Sequence, residues 1–358
     1  MNARNIICYF VLFSSFISHG QIDTNNFKRP IQEIDEVVIS SNLKQIAFED
    51  SKYFIVDFEV NELGYFLLLK NMRNYQLYRL DQYLEPQSSL PLKFKPTALF
   101  SDCLGNLHVL TKDSIYQINT LDKGLSIFEQ NSIELYHSFF KNCVGQSGDY
   151  VIMENIYNFG KSKVFYAFNR NEPEEKIIYR IEDSVAVADV NLEYRGILAN
   201  DYLGRQRTGE ISIEQLGNSR DHAERIFYFD QILSQSDYNP LFVKNDTSYI
   251  FDHINGYAIQ VADSGTILNK TSITYQNNED WAKINHHDAQ NNTFYTVYEN
   301  KGTQHFYELS TENYELGKRT KITEHAYPKK LIVYDGYVYY TYKENYAANL
   351  NKLYRHKL

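Results

Sequence analysis

The densest group of residues that could do chemistry is the run "NHHD", which covers Asn285 to Asp288. Imidazole and carboxylate groups are common ligands of Zn²⁺ and related metals. In a strand, however, the adjacent side chains of His286 and His287 point to opposite faces, so only one of them could serve a given metal ion. Asp288 also fits a turn motif that recurs along the chain. The run therefore indicates a structural turn, and the sequence predicts no metal site.

A second group combines aromatic rings with carboxylates and amides in segments that separate the predicted strands. The stretch "NNEDWAK" holds the single tryptophan of the chain, and "EHAYPK", "SDYNP" and "NIYNFGK" are similar in kind. Aromatic faces beside polar groups suit sugars, peptides or amphipathic small molecules. The candidate ligand-binding residues are Glu279, Asp280, Trp281, His325, Tyr327, Tyr238 and Tyr157.

Several function classes lack their sequence signatures. The chain contains no P-loop, dinucleotide glycine fingerprint, Cys-x-x-Cys pair, Gly-x-Ser-x-Gly elbow or His-Glu-x-x-His motif. A net charge of −9 argues against nucleic-acid binding, which requires a basic surface. The sequence therefore predicts neither a cofactor nor a catalytic residue, although a divalent cation is compatible with it.

A short turn motif organises most of the chain. It reads Asp or Asn, any residue, Leu or Val, then Gly, and full copies start at Asn61, Asp102, Asn142 and Asp201. Weaker copies start at Asn245, Asp288 and Asp335. An Asp or Asn side chain can bond to the backbone of its own turn, and Gly tolerates a positive φ, so the motif predicts a tight hairpin.

Apolar or alternating runs flank these turns, and a third run follows in each unit, as in "LYRL", "IYQI" and "FYEL". The turns start about 46 residues apart on average, which leaves room for four short strands per unit. Four-stranded units of this length are typical of β-propeller blades. The sequence predicts an all-β fold with seven four-stranded blades, and six blades are the alternative.

With these turns and spacings, the chain resembles secreted β-propellers of the broad NHL/YncE-like type. The resemblance covers nearly all of the chain after its N-terminus and implies the fold. It does not imply a function, because such propellers include enzymes as well as binding proteins. It does imply where a ligand would lie, at the axial end formed by the loops between blades, and this is the end to which the candidate residues above are assigned.

The last unit lacks one strand, and the segment "DEVVISS" at residues 35–41 precedes the first unit. Pairing this segment with residues 353–356 would close the ring and remove an exposed edge. The same segment looks like the short strand by which TonB-dependent outer-membrane transporters pair with a periplasmic partner, a form of β-augmentation. A long interval between the third and fourth turns predicts an insertion at residues 174–190, either a long outer strand or a short helix.

Cys103 and Cys143 occupy what the motif treats as equivalent turns of neighbouring blades. Equivalent turns should be well separated around the ring, whereas a disulfide requires Cα atoms within about 7 Å. Both cysteines are therefore predicted to be free thiols.

The N-terminus has the pattern of a secretory signal peptide. A basic start is followed by the apolar run "IICYFVLFSSF" and by Ser18 and Gly20 in a small-x-small arrangement. We expect a signal peptide at residues 1–20, an extension at 21–34 and a single propeller domain at 35–358, with cleavage between Gly20 and Gln21. The mature protein would be secreted or periplasmic and would have no transmembrane segment.

These observations favour a non-catalytic binding or scaffolding propeller that binds a protein, a glycan or another small molecule. Two alternatives remain: a metal-dependent hydrolase or lyase with its site in the channel, and an accessory protein of an outer-membrane transport system.

Overall fold

In a computed structural model, the described residues are 44–120, 124–169, 172–207, 236–263, 265–343 and 351–358. Within these residues the strands form six antiparallel four-stranded sheets, each ordered as a propeller blade. Five blades use consecutive strands, and the sixth combines the end of the chain with its first described strand.

The first three blades follow one another along the chain. Blade 1 contains β2 (Phe54–Asn61), β3 (Gly64–Asn71), β4 (Asn74–Leu80) and β5 (Pro86–Leu92). Blade 2 contains β6 (Ala98–Ser101), β7 (Leu107–Leu110), β8 (Ser114–Asn119) and β9 (Ser126–Ser132). A short helix, α1 (Ile133–Ser138), then leads into blade 3, which contains β10 (Cys143–Ser147), β11 (Tyr150–Tyr157), β12 (Ser162–Asn169) and β13 (Glu172–Glu182).

A long helix lies between blades 3 and 4 in the sequence. Helix α2 (Ser184–Arg207) follows blade 3, and its Tyr194 packs against Phe159, with 4.8 Å between the ring centroids. The predicted insertion at residues 174–190 contains a long outer strand, β13, and then a helix, but the helix is long rather than short and extends to Arg207.

The remaining blades complete the ring. Blade 4 contains β14 (Leu241–Lys244), β15 (Thr247–Asp252), β16 (Tyr257–Ala262) and β17 (Ile267–Ser272). Blade 5 contains β18 (Trp281–Asp288), β19 (Thr293–Asn300), β20 (Thr303–Leu309) and β21 (Leu316–Ile322). Blade 6 contains β22 (Lys329–Tyr334), β23 (Tyr337–Tyr342), β24 (Lys352–Lys357) and β1 (Lys44–Phe48).

The prediction of seven blades is wrong, and the six-blade alternative is confirmed. The surplus unit came from the turn motif at Asp201, which lies inside α2 rather than between strands. Motif letters alone cannot separate the two cases, because Leu and Tyr fit either a helix or a strand flank. The matching third-strand run at residues 226–230 lies outside the described residues.

Ring closure by an N-terminal strand is confirmed, but the predicted segment is wrong. Strand β1 pairs with β24 in an antiparallel register that places Lys44 opposite His356. Because β1 and β23 occupy the two edges of β24, no edge of β24 remains for residues 35–41. That predicted strand itself lies outside the described residues.

The two cysteines form a disulfide, so the prediction of free thiols is wrong. Their Cα atoms are 5.5 Å apart. Cys103 lies in the turn after β6, whereas Cys143 opens strand β10, and the actual hairpin of blade 3 turns at Gly148 with a φ of 55°. The two positions are therefore not equivalent, and the path through α1 brings the start of β10 beside the blade 2 turn.

Apolar side chains fill each space between neighbouring blades, as expected when a sheet buries both of its faces. The interface of blades 6 and 1 is the largest and buries Phe58, Leu67 and Tyr339 among others. Among the described residues, the interface of blades 2 and 3 has the fewest buried apolar side chains, which are Cys143, Val151 and Met153. The disulfide crosses this interface.

Candidate functional site

The antiparallel order of the strands gives the ring two chemically different ends. Turns from the first to the second strand and from the third to the fourth strand of each blade lie at one end, here named the turn end. Turns from the second to the third strand and the connections between blades lie at the opposite end, here named the loop end. Most of the candidate residues from the sequence belong to the loop end.

Between blades 4 and 5, the loop end holds a packed cluster of rings. The Trp281 ring lies 4.5 Å from the His253 ring and 6.2 Å from that of Tyr238, measured between centroids. The Trp281 indole N–H donates to Thr296 Oγ1 at 2.9 Å, so the polar edge of the ring is already satisfied. Trp281 and Tyr238 are thus brought together, but as a wall between two blades rather than as open anchors.

A bulge in the innermost strand of blade 5 explains this cluster. The pairing of β18 with β19 shifts register between Trp281 and Asn285, and Lys283 in the bulge has a φ of 54°. The Tyr238 hydroxyl accepts the Asn285 N–H at 2.8 Å and donates to the Asn285 carbonyl at 3.2 Å. Tyr238 therefore replaces the ladder hydrogen bonds that the bulge removes.

Burial keeps the ionisable rings of this cluster neutral. It lowers the pKa of His253 to about 4, although the hydrogen bond to the Tyr238 backbone opposes this shift. It also raises the pKa of Tyr238 to about 12 and holds that of Tyr275 well above its usual value. None of the three rings is therefore charged at neutral pH, so the cluster places no charge inside the interface of blades 4 and 5.

Beside this wall, blade 5 carries a groove of about 400 Å³. It extends from the loop end along the outer strands β19, β20 and β21, on the face turned towards blade 4. Asp280, one of the candidates, lies at its rim and accepts a hydrogen bond from Asn300 Nδ2 at 3.0 Å. The other lining residues are Asn278, Tyr298, Asn300, Lys301, Thr303, His305, Tyr307, Leu316, Arg319 and Lys321.

Tyrosine rings and an arginine–histidine contact form the floor of this groove. The rings of Tyr298 and Tyr307 meet edge-on with 5.0 Å between centroids. Arg319 donates from its guanidinium to His305 Nδ1 at 3.0 Å, and its guanidinium carbon lies 5.9 Å from the Tyr307 centroid. Because a guanidinium can only donate, His305 accepts this hydrogen bond at Nδ1.

The sequence did not single out Lys301, His305, Tyr307, Arg319 or Lys321 as site residues. A signal was present in the run "LGKRTKI", where Arg319 and Lys321 share one face of an exposed strand. Tyr307 occupies the aromatic position of the third-strand pattern, and that pattern was interpreted only as a strand.

The other candidates do not join the groove. His325 is 5% exposed and lies between Tyr342 and Tyr354, with its Nδ1 3.0 Å from the Tyr340 hydroxyl. Tyr327 is exposed and covers the turn at Gly302, whose carbonyl accepts the Tyr327 N–H at 2.8 Å. Glu279 is exposed beside Asp280, and Tyr157 is exposed on blade 3.

Clefts also occur at the turn end, where the sequence placed only compact turns. One of about 550 Å³ lies against blades 1 and 6 and is lined by Glu62, Arg79, Asp81, Tyr83 and Asp335, among others. Another of about 440 Å³ lies against blades 2 to 5 and includes Cys103, Phe242, Asp246 and His287. The presence of a cleft therefore does not by itself distinguish the two ends, and the chemistry of the lining must do so.

The "NHHD" run forms the end of β18, and Asp288 starts the turn to β19 that the motif predicted. Asp288 is fully buried and accepts the backbone N–H groups of Asp335 at 2.9 Å and Gly336 at 2.7 Å. Its carboxylate thus ties the turn of blade 5 to that of blade 6. Within the described ranges, no three His, Cys, Asp or Glu side chains gather closely enough to hold a metal ion.

The innermost strands of blades 6 and 1 share a compact ionic group. Lys330 Nζ lies 2.8 Å from Asp57 Oδ1 and 2.6 Å from Glu59 Oε1. Burial raises the pKa of Glu59, although the charge of Lys330 acts in the opposite direction. The charge of Lys330 thus neutralises part of the negative charge of the two neighbouring carboxylates.

No helix in the described part of the chain combines the length and the apolar character needed to cross a bilayer.

Comparison with known proteins gives similarity at the level of fold alone. No family model matches the chain, and no curated protein matches it. Solved structures with similar chain traces include Hsv2 from Kluyveromyces lactis, at 8% identity over 80% of this chain and 70% of that one, with a TM-score of 0.35. A catalytically inactive virginiamycin B lyase from Staphylococcus aureus, solved with quinupristin, has 11% identity over 88% and 99%, with a TM-score of 0.36.

A further similar structure is a putative 6-phosphogluconolactonase from Bacteroides uniformis, with 10% identity over 83% of each chain and a TM-score of 0.32. At such identities and scores these structures assign no activity to this chain. The broad propeller resemblance drawn from the turn motif nevertheless holds, because the six four-stranded sheets form the fold that it implied.

Proposed function

We propose that this propeller is a non-catalytic binding protein whose ligand lies in the blade 5 groove at the loop end. The observation that carries the proposal is the shape and lining of that groove. The groove is concave, has a tyrosine floor and is lined by side chains that protrude from loops and outer strands. Ligand sites commonly combine an aromatic surface with a few polar groups that fix orientation.

Several polar groups of the groove are available to such a ligand. Asn278 and Asn300 are exposed at the rim, and Thr303 and Tyr307 are half-buried along the wall. Amides and hydroxyls can both donate and accept hydrogen bonds, so they suit the hydroxyl groups of a saccharide. The Tyr307 ring supplies an apolar face for a sugar ring.

The enzymatic alternative has its best location at Lys330, Asp57 and Glu59, because a carboxylic acid with a raised pKa could act as a general acid. The same three groups are engaged with one another, and Asp57 also accepts the Leu99 N–H at 2.7 Å. Groups already held in this way support the ring, so we prefer binding to catalysis.

The proposal includes export from the cytoplasm, based on the signal-peptide pattern of residues 1–20. The accessory role in outer-membrane transport rests on residues 35–41, which lie outside the described residues, and it stays a prediction.

The proposal is tested by titrating the full chain with maltotetraose, tetragalacturonate and a tetra-alanine peptide, using calorimetry. For a probe that binds, we expect Tyr307→Ala to weaken binding by about tenfold, as loss of an aromatic anchor typically does. The matched control is Tyr116→Ala, since Tyr116 holds the same repeat position in blade 2 and stacks on Phe94 with 4.0 Å between centroids.

Equal affinities for the wild type and Tyr307→Ala would place the site elsewhere and overturn the proposal, as would the absence of binding for every probe. Mass spectrometry of the probe after overnight incubation provides the second readout. A cleaved or eliminated product would contradict the non-catalytic assignment.

A further inference from the structure

The blade 5 groove has a charge opposite to that of the chain. Its lining includes Lys301, Arg319 and Lys321 against the single carboxylate of Asp280, whereas the whole chain has a net charge of −9. This local excess of cations is opposite in sign to the net charge of the chain. It creates a positive potential at one place, which attracts anions and raises their rate of encounter.

Within the described part of the chain, two of these cations have no internal ionic partner. Among the described residues, neither Lys301 Nζ nor Lys321 Nζ lies within salt-bridge distance of a carboxylate, whereas Lys330, Lys163 and Lys352 each pair with a glutamate. The ammonium groups of Lys301 and Lys321 therefore remain available for a ligand.

The third cation is held in position. Arg319 contacts both His305 and the face of Tyr307, as described above, and His305 is 8% exposed. A guanidinium fixed against a buried ring loses less conformational freedom on binding than a freely rotating one. Arg319 thus gives the groove a preorganised cation next to its tyrosine floor.

The spacing of the cations indicates the shape of the ligand. Arg319 and Lys321 are two residues apart on one face of β21, about 7 Å along the strand. Lys301 lies across the sheet in the turn between β19 and β20, close to the loop end. Because Arg319 is held against His305 and the two lysines lie at different places along the sheet, a chain with several separated anionic groups suits the three cations better than a single phosphate.

We propose that the groove binds an acidic oligosaccharide, with carboxylate or sulfate groups on successive sugar rings. The cations contact the anionic groups, the Tyr307 ring packs against a sugar face, and Asn278, Asn300 and Thr303 bond to hydroxyl groups. This inference rests on the proposed function, because it names the ligand class of the same groove.

The test compares tetragalacturonate and a sulfated heparin tetrasaccharide with maltotetraose, a neutral chain of equal length, and with inorganic phosphate. We expect the full chain to bind at least one acidic tetrasaccharide at least tenfold more tightly than maltotetraose or phosphate. Binding should weaken as NaCl is raised from 50 to 300 mM, because exposed charges are screened.

Lys301→Gln and Lys321→Gln should each weaken acidic binding by about three- to fivefold, the range of an exposed ion pair. Lys112→Gln is the matched control, because Lys112 is exposed in the corresponding turn of blade 2, between β7 and β8. It should leave the affinity unchanged. All three variants should retain the wild-type melting temperature.

The outcomes separate the two proposals. If maltotetraose binds as tightly as the acidic chains and only Tyr307→Ala weakens it, the acidic ligand class is overturned while the groove stands. If phosphate alone binds as tightly as the acidic chains, the requirement for several charges is overturned. If acidic binding is insensitive to Tyr307→Ala and to both lysine variants, the groove is not the site and both proposals fail.

Discussion

The turn end of this ring and the blade 5 groove at its loop end use their charged side chains in opposite ways. At the turn end, two buried carboxylates are bonded to the backbone: Asp288 accepts N–H groups from two blades, and Asp102 accepts those of Leu104 and Asn106 and also contacts His108 Nε2 at 2.9 Å. At the loop end, Lys301 and Lys321 of the blade 5 groove have no ionic partner among the residues that the structure describes. Repeated turn residues thus maintain the fold, whereas the proposed recognition uses residues that differ between blades.

The largest expected effect comes from removing the buried turn carboxylate. Asp288→Ala leaves the Asp335 and Gly336 N–H groups without their acceptor at a fully buried site. We expect a loss of at least about 3 kcal/mol in the free energy of unfolding, because hydrogen bonds to a charged acceptor are strong and orphaned donors are costly. Urea unfolding of the wild type and of Asp288→Ala measures this loss.

Asp280→Ala is the matched loop-end control. Its carboxylate accepts one hydrogen bond, from Asn300, and lies at the groove rim. We expect a change below about 1 kcal/mol in stability. Similar losses for the two variants would contradict the division of labour between the ends.

The second effect concerns the disulfide at the turn end. Cys103 and Cys143 join the two blades whose shared interface buries the fewest apolar residues. We expect Cys143→Ser to lower the free energy of unfolding by about 2–4 kcal/mol, the usual contribution of a disulfide that closes a loop of this size.

Cys103→Ser and the double variant should cost the same as Cys143→Ser, because each removes the same bond. Urea unfolding of the oxidised protein with and without dithiothreitol gives an independent value. An unchanged unfolding midpoint under reduction would show that apolar packing alone holds blades 2 and 3 together.

Acid should titrate His253 at the loop end before it titrates Asp102 at the turn end. Burial lowers the pKa of His253 to about 4, so its stabilising contribution is complete above its unfolded value of about 6.5 and is lost as pH falls towards 4. Burial alone would raise the pKa of Asp102, but hydrogen bonds from His108 and Asn106 hold it below its usual value. The contribution of Asp102 is therefore lost only below about pH 4.

We expect the free energy of unfolding to fall by about 2–3 kcal/mol between pH 6.5 and 4 owing to His253, the value of a shift of roughly two units. His253→Gln should flatten this part of the profile, while Asp102→Asn should alter it only at lower pH. A profile in which His253→Gln titrates like the wild type would assign the acid sensitivity to other groups.

Sequence predicted the fold well where local chemistry decided the structure. Asn61, Asp102, Asn245, Asp288 and Asp335 all start real hairpin turns, because an Asx side chain and a residue with positive φ determine a turn without help from distant residues. Prediction from sequence failed where contacts between distant residues determine the structure. The same letters at Asp201 lie in a helix, and the approach of Cys103 to Cys143 depends on the path through α1.

The candidate site was predictable only in part for the same reason. Loop composition identified Asp280 and the segment around Trp281, since loops can be read locally. The groove also requires Tyr298, Tyr307, Arg319 and Lys321 from three strands, and their common face follows from the register of β19, β20 and β21. A sequence pattern does not fix that register.

The smallest expected effect tests the turn end directly. Tyr83 is 75% exposed and lines the cleft against blades 1 and 6, where its ring resembles an open anchor for a sugar. The cleft also contains Glu62, Asp81 and Asp335, which would repel an acidic saccharide. We therefore expect Tyr83→Ala to change stability by less than about 0.5 kcal/mol, as exposed substitutions usually do, and to leave tetragalacturonate binding at the wild-type level. Calorimetry on Tyr83→Ala beside Tyr307→Ala compares the two ends under one set of conditions. Loss of affinity in Tyr83→Ala with none in Tyr307→Ala would reverse the comparison and move the recognition surface to the turn end.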